Sequence, residues 1–400
     1  MLFTLEALNA KHGDSLLLHF GSNADPGLVV IDGGPAGVYK DILHPRLDAL
    51  KTHRGLDADT PLPIRLLMVS HIDDDHVKGV LELVDQLRDA PGAKPYDITT
   101  LWFNSFDGIL GHLQGEIAAE YAPAIHAASI GDAMPVDFSD DPEQAHHAGM
   151  ILANVPQGNM LRGAATTLGL MLNEGFSGLV KLPQAGAKTI DFSVEGDGSL
   201  TFTVLGPRVE RLQNLGNEWD TFKSKKTSGE AKAADFIDNS VFNLSSIIVL
   251  VEAGGKTMLL TGDARGDDIM TGLAAAGKMP TGTFHCDILK MPHHGSWRDM
   301  SEAFLTKVTA DHYVISANGK YSNPDFETMQ ALSKVCGNRV MTVHITNPLE
   351  VFAHSNEFDI AALTQLLEAD KALGKPYKVV FRDSAQSSIV IDLGDETLQD

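Results

Sequence analysis

The chain is predicted to be an α/β protein, and three observations carry that expectation. Short apolar runs end in turn chemistry, as in "LLLHF", "LVVIDGG" and "RLLMVSH". A helical run follows the last of these, with Val77, Val80, Leu81, Val84 and Leu87 on one face before Pro91 and Gly92 stop it. Strand-like and helical runs then alternate again from residue 198 onward. Four hundred residues with 43% hydrophobic content can bury a large core, and 1–400 reads as one unit.

Taken in order, "MLFTLEALNAKHGDSLLLHF" reads as strand, turn and strand. Residues 105–195 differ in character: they are rich in Ala, Gly, Met and His, with helical spacing in "GEIAAEYAPAIHAAS" and "TTLGLMLNEGF". They are expected to form a helical insertion that serves as a lid. "GSLTFTVLGP" returns to strand at residues 198–207, and the lysine-rich "FKSKKTSGEAKAA" at 222–234 reads as a surface loop. "SSIIVLVEAGGKTMLLTGDA" predicts a hairpin turning at Gly254-Gly255. "CDILKMPHHGS" and "HYVISANG" follow as strands, 325–335 and 357–371 as helices, and "SSIVIDLG" as a closing strand.

Composition narrows the function classes. A formal charge of −22, from 53 acidic and 31 basic residues, argues against a general nucleic-acid coat, because backbone affinity comes from Lys and Arg. It leaves open a site where bound metals hold a phosphate locally. No run approaches the roughly 18 apolar residues of a membrane span, and no signal peptide is visible at the N-terminus. With only Cys286 and Cys336, a reducing cytoplasm is the expected setting, without a membrane partner. An oligomer or partner protein is not specified by any motif.

Three segments place ligand-type side chains at strand ends. "SHIDDDH" offers His71, Asp73, Asp75 and His76; "LLTGDA" offers Asp263; "LKMPHHGS" offers His293 and His294. A lone "DDD" would be an exposed turn, but histidines at both ends and two matching segments downstream point to a metal. In extended chain His71, Asp73 and Asp75 would share a face while Asp74 points away. Imidazole and carboxylate together suit Zn²⁺ first, with Mn²⁺ or Fe also compatible. So many groups exceed the needs of one four-coordinate ion, and two ions bridged by a carboxylate use them naturally. Such a pair can lower the pKa of a bridging water and clamp the oxygens of a displacement reaction.

These residues resemble a known family. "SHIDDDHVKG" is similar to the H-x-[HD]-x-D-H motif of the metallo-β-lactamase superfamily. Together with "HGDS", "VIDGG", "TGD" and "PHHGS", it is closest to the competence-protein (ComEC-type) and phosphorylcholine-esterase-like branch, over residues 1 to about 100 and 198 to about 330. The resemblance implies an αββα four-layer sandwich with two metals at the sheet edge. By it, His71 and Asp73 would bind one metal, Asp75 and His76 the other, Asp263 would bridge, and His294 would complete the second site. His293 would face the phosphate or donate a proton. Asp32 would orient the ligands from behind, and His12, Asn318 and Asn323 are candidates for substrate or supporting contacts.

The sequence also departs from the family pattern. Asp73 stands where many members carry a second histidine, which tilts selectivity toward Mn²⁺, and Lys78 stands where glycine is usual. The family's middle histidine has no clear counterpart, leaving His112, Asn104, Ser105 or water to fill its place. Asn323 occupies a position that often holds histidine. Other residues read as packing or surface: His146 and His147 on a helix, and His285, His312 and His344 in or beside strands, while Trp102 and Trp297 flank predicted site segments. Trp297 is open to packing or lining the site. Ser15 and Ser296 are not needed as nucleophiles beside a metal.

The expected activity is therefore a metal-dependent hydrolase, in which a bridging hydroxide, with Asp75 and His293 assisting, attacks a phosphodiester of a nucleotide, nucleic acid or other phosphate ester. Lactone, thioester or β-lactam hydrolysis on the same metals is the alternative, and a metal-stabilised scaffold or sensor is a third reading.

Overall fold

A computed structural model describes residues 1–399 apart from 91, 93, 106–154, 184–185, 194–198, 210 and 213–242. Its strands, in chain order, are β1 (Leu2–Leu8), β2 (Leu16–Gly21), β3 (Pro26–Ile31), β4 (Leu62–Met68), β5 (Tyr96–Trp102), β6 (Met171–Leu172), β7 (Lys188–Ser193) and β8 (Ser199–Gly206). They continue as β9 (Ile248–Ala253), β10 (Lys256–Leu260), β11 (Phe284–Lys290), β12 (Val308–Ile315), β13 (Met341–Ile345), β14 (Tyr377–Phe381) and β15 (Ser388–Asp392). The helices that bear on the site are α1 (His44–His53), α2 (Asp74–Asp89), α3 (Val155–Leu168), α4 (Gly266–Ala275), α5 (Glu302–Lys307) and α6 (Phe326–Cys336). Two more, α7 (Leu349–Ala353) and α8 (Ile360–Ala372), follow.

Two mixed sheets result. One has the order β15-β1-β2-β3-β4-β5-β6 and the other β14-β13-β12-β11-β10-β9-β8-β7. Alternation along each strand sends one set of side chains between the sheets and the other toward helices. Phe3, Leu5, Leu18, Val29 and Trp102 of the first sheet thus meet Phe202, Val249, Val251, Ile288 and Val314 of the second. The opposite face of the first sheet packs on α1, α2 and α3 through Leu17, Val30, Leu47, Val80, Val84 and Leu161. The outer face of the second packs on α4, α5, α6 and α8 through Leu259, Ile269, Phe304, Leu332 and Leu363. Helix, sheet, sheet and helix layers follow, as the α/β sandwich reading expects. The hairpin at Gly254-Gly255 forms, with both glycines at positive φ.

The described part of residues 105–195 contains strand as well as helix. Beside α3, their described part contributes β6 to the edge of the first sheet and β7 to the edge of the second. In β7, "KTIDFS", the period is two: Ile190 and Phe192 pack inward, Phe192 lying 5.3 Å from the Phe202 ring and 6.0 Å from Trp102. His112, His146, His147 and the loop 222–234 lie outside the described residues. Cys286 and Cys336 are both buried and free. Among the described residues no helix is long and apolar enough to cross a membrane.

Candidate metal centre

Strand ends from both sheets converge at one edge. The β1–β2 loop carries Asp14, the end of β3 carries Asp32, and the chain after β4 carries Ser70 and His71. From the second sheet, Asp263 follows β10 and His293-His294 follow β11. Open α/β sheets keep their sites at such carboxyl ends, where the backbone leaves regular pairing and side chains can converge.

The acidic stretch itself is arranged differently from an extended run. Helix α2 begins at Asp74, so Asp74, Asp75 and His76 occupy its first turn and a two-residue period cannot apply. Asp73 is the residue before the helix, with φ −72° and ψ 149°, and its carboxylate caps nothing. An aspartate there ordinarily accepts a helix N–H; here the side chain is left for the site. Asp74 does point away, bonded to Gln157 Nε2 at 2.6 Å and near Lys78 Nζ at 3.3 Å. Two glycine contacts lock this turn. A Cβ on Gly13 would collide with the Asp75 carbonyl, and one on Gly79 with the Gly33 carbonyl. Backbone bonds from Asp14 N to Asp75 O (3.2 Å) and Gly33 N to His76 O (2.8 Å) run through the same contacts.

Asp263 lies at the middle of the cluster. Its carboxylate oxygens are 3.4 Å from His76 Nε2, 3.4 Å from His294 Nε2, and 3.8 Å from both His71 Nε2 and His293 Nε2. Asp73 stands 3.5 Å from His71, and Asp75 stands 3.2 Å from His294. Two imidazoles are aimed from behind. His76 Nδ1 donates to Asp32 (2.9 Å), while Ser70 donates to the same carboxylate through N and Oγ, each at 2.7 Å. His294 Nδ1 donates to the Ser316 carbonyl at 2.9 Å. With each Nδ1 so engaged, the Nε2 atoms face the cluster. His293 and His294 both hold left-handed backbone, φ 45° and 53°. Such a conformation costs about 1–3 kcal/mol for a non-glycine residue and persists where surrounding structure imposes it.

Asp14, His76, Asp263 and His294 can each offer one ligand atom within 4.8 Å of the others, and all four are buried. Asp14 is a ligand candidate absent from the sequence-predicted set. It also forms a buried ion pair with Lys290, whose Nζ is 3.4 Å from the Gly262 carbonyl and 3.9 Å from Asp263.

Burial disfavours charge on every one of these groups, and mutual pairing outweighs it. Burial pushes His294 down, but Asp263 and Asp14 lift it to about 9. His76 is likewise raised well above its ordinary value, against burial, by Asp263, Asp75 and Asp32. Burial pushes Asp75 and Asp263 up, yet neighbouring imidazoles hold both well below the usual carboxylate range. Protons on histidine thus balance the carboxylates, and a divalent cation at this place would displace them.

The residues fit a divalent cation. Asp14 Oδ1, His71 Nε2, Asp73 Oδ1 and Asp263 Oδ1 are buried with no hydrogen-bond partner among the described residues. Buried polar atoms are normally bonded, and these unpartnered atoms, all oxygen or imidazole nitrogen, are of the donor types that zinc, manganese or iron accepts. A buried cluster of aspartate and histidine that can hold a metal ion is therefore present.

The chain is similar to Recombination protein 2 of Haemophilus influenzae. Identity is 31% over 150 residues, which is 34% of this chain and 18% of that protein. The chain therefore spans less than a fifth of that relative's length. No family model matches the sequence.

The remaining candidates divide by position. His293 has Nδ1 bonded to Asp299, a partner not anticipated from sequence, and Asn243 Nδ2 at 3.4 Å. His12 is near the cluster; burial pushes it down to about 4, against the charge of Asp75 and with that of Lys320. Asn318 Oδ1 accepts the Lys320 N–H within its own loop (3.1 Å), and among the described residues no hydrogen bond or ion pair joins Asn318 or Asn323 to the cluster. Asn104 spends its amide on both backbone groups of Val180, at 2.8 and 2.9 Å, and Ser105 accepts from Arg162. Neither supplies the missing middle ligand. Trp297 packs against the core of the second sheet, and Trp102 is buried between the sheets. His312 and His344 bond each other at 3.0 Å on β12 and β13, and His285 bonds Thr309.

Proposed function

We propose that the protein is a metal-dependent hydrolase of phosphodiesters that works with two divalent cations. The observation that carries this reading is Asp263, a single buried carboxylate within 3.8 Å of four imidazoles. A carboxylate so placed would suit a pair of cations, one of which His71 and Asp73 would hold, and the other Asp75, His76, His294 and Asp14. When bound, such a pair would activate a water and polarise the phosphoryl oxygens.

The chain's own residues would do the rest. Asp32 and Ser316 hold His76 and His294 in the tautomer that turns Nε2 inward. His293 is the most exposed histidine of the cluster, at 26%, so it is the one that can meet a substrate. Burial lowers its basicity, but Asp263 and Asp299 outweigh this and raise it above the ordinary histidine value. It can therefore hand a proton to the departing oxygen as the P–O bond breaks, with Asp299 holding the ring. The similarity to a protein named for recombination is the reason to place nucleic-acid diesters first among substrates.

The test is direct. Purified protein is assayed for metal content and for hydrolysis of bis(p-nitrophenyl) phosphate, short oligonucleotides, lactones and thioesters with added Zn²⁺ or Mn²⁺. Diester hydrolysis that disappears in Asp263→Asn supports the proposal. Full activity in that variant, or ester hydrolysis without diester hydrolysis, would refute it.

A further inference from the structure

The loop beside the metal centre carries an aromatic side chain that the ligand set does not use. Tyr321 lies between β12 and α6 and is 55% exposed. A lone exposed apolar residue is ordinary on a protein surface, but this one stands on unusual backbone. Tyr321 and Ser322 both hold left-handed φ, 56° and 62°. Seven non-glycine residues among those described have positive φ, and all except Asn173 (Lys11, Asp32, His293, His294, Tyr321 and Ser322) lie in the segments gathered round this centre. Backbone of this kind persists where surrounding structure imposes it, and it collects at functional sites.

Two of those segments fix where the ring stands. On one side, Pro324 packs where a Cβ on Gly295 would lie, and Asp325 N and Thr328 Oγ1 donate to the Gly295 carbonyl at 3.1 and 2.7 Å. The loop is thus seated on the turn that follows His294. On the other side, Lys320 Nζ is 3.4 Å from His12 Nε2, in the loop that supplies Asp14. Asn347 Nδ2 ties that loop to the chain after β12, bonding the Lys11 and Ala317 carbonyls at 2.7 Å each. Tyr321 N donates to the Glu357 carboxylate, Ser322 Oγ to the Glu357 carbonyl (2.8 Å) and Ser355 Oγ to the Gly319 carbonyl (2.9 Å). The Tyr321 ring takes part in none of these bonds. Lys320 Nζ lies 4.5 Å from its centroid, and the His12 ring meets it at 84° with centroids 6.2 Å apart. The cation–π contact orients the ring while more than half of the residue stays open.

We infer that Tyr321 is a stacking platform for the nucleobase next to the phosphate held at the metal centre, with Lys320 a positioning residue that holds the ring. The inference rests on the diesterase reading, and it narrows the substrate to an unpaired strand, because a base inside a duplex has both faces covered by its neighbours. Stacking on an aromatic ring accepts any base, so the platform favours single-stranded nucleic acid over base-free diesters without reading sequence. A base is uncharged, so the nearby Glu357 carboxylate does not oppose it as it would a phosphate.

The Zn²⁺-loaded full chain is mixed with a phosphorothioate trinucleotide carrying 2-aminopurine at its centre, whose fluorescence is quenched when the base stacks. A matching abasic trinucleotide competes with it. The parent should quench the probe and bind it about tenfold or more tightly than the abasic competitor. Tyr321→Ala should lose the quenching and most of that preference, and Tyr321→Phe should keep both within about threefold. In turnover of the phosphodiester-linked trinucleotides, the ratio of kcat/KM for base-bearing over abasic substrate should fall about tenfold in Tyr321→Ala. Both substitutions retain the Tyr321 N–H, and circular dichroism confirms that each variant is folded. No quenching by the parent, unchanged quenching in Tyr321→Ala, or an equal fall in kcat/KM with both trinucleotides would overturn the inference. Tyr321-dependent quenching without hydrolysis of either trinucleotide would sink the diesterase reading and leave the platform standing. Hydrolysis of both with Tyr321-independent quenching would do the reverse.

Discussion

Replacing Asp14 with Asn should destabilise the metal-free protein strongly, because it strands a buried ammonium. Lys290 and Asp14 are each 1% exposed and paired, and the nearest other acceptors of Nζ are the Gly262 carbonyl at 3.4 Å and Asp263 at 3.9 Å. Burial pushes Lys290 toward neutrality, and Asp14 first, then Asp263, outweigh it. Removing one partner of such a pair costs about 3–5 kcal/mol, whereas replacing both by apolar groups is often neutral or better. Asp14→Asn is therefore expected to lose about 3–5 kcal/mol, and Asp14→Asn with Lys290→Met to recover at least about 2 kcal/mol of that loss. The assay is urea unfolding in excess chelator, read as a double-mutant cycle. The parent, both single variants and the double variant are needed. A single-variant loss below about 1 kcal/mol, or a double variant no more stable than Asp14→Asn, would refute the reasoning.

Other outcomes follow from the same contacts. Glu6 is buried at 0% exposure in β1. Burial pushes its carboxyl up, but the His19 hydrogen bond (3.0 Å) and the charge of Arg46 outweigh this and hold it at about 2, while burial keeps His19 itself below its ordinary value. Its folded value lies below the unfolded one, so its stabilisation is present above about pH 4.5 and lost as pH falls through about 2. That shift corresponds to about 3 kcal/mol. Glu6→Gln should show a deficit of that order at pH 7 that shrinks toward zero near pH 2; an equal deficit in urea titrations at both pH values would contradict it. Gly79→Ala forces a methyl into the Gly33 carbonyl and should cost about 1–3 kcal/mol of thermal stability, and a variant as stable as the parent would show that the contact is not tight. Asp32→Asn removes the acceptor that orients His76 and should weaken metal affinity by about 10–100-fold in chelator competition, with affinity unchanged as the contrary result.

Much of this molecule is legible from local pattern. Val77, Val80, Leu81, Val84 and Leu87 predict α2 because helical spacing and burial coincide there, and all five are buried. The Gly254-Gly255 hairpin and the strands ending at Ile31, Met68 and Leu260 read equally well, since turn chemistry and apolar runs are short-range signals. The strand β7 is harder to read, because "KTIDFS" carries only two apolar residues and follows a stretch of Ala, Gly and Met that favours helix. Its inward face exists only because Trp102 and Phe202 stand opposite.

The candidate site divides in the same way. "SHIDDDH", "TGD" and "PHHGS" announce a metal centre by residue type, and His71, Asp73, Asp75, His76, Asp263, His293 and His294 do lie together. The order of their side chains around that centre is not readable from those motifs. Whether Asp75 sits in a strand or in the first turn of a helix depends on where α2 starts, and close packing of Gly13 and Gly79 holds that turn in place.

Residue type and spacing by themselves determined the α/β class and the presence of a carboxylate–imidazole centre, because strand alternation, helix period and ligand chemistry are local properties. Only tertiary structure decided that Asp14 joins the cluster, that Lys290 neutralises it, and that Asp299 holds His293. Those partners meet across sheets and loops far apart in sequence, where selection of a contact depends on packing and desolvation of the whole fold and leaves no short-range periodic trace.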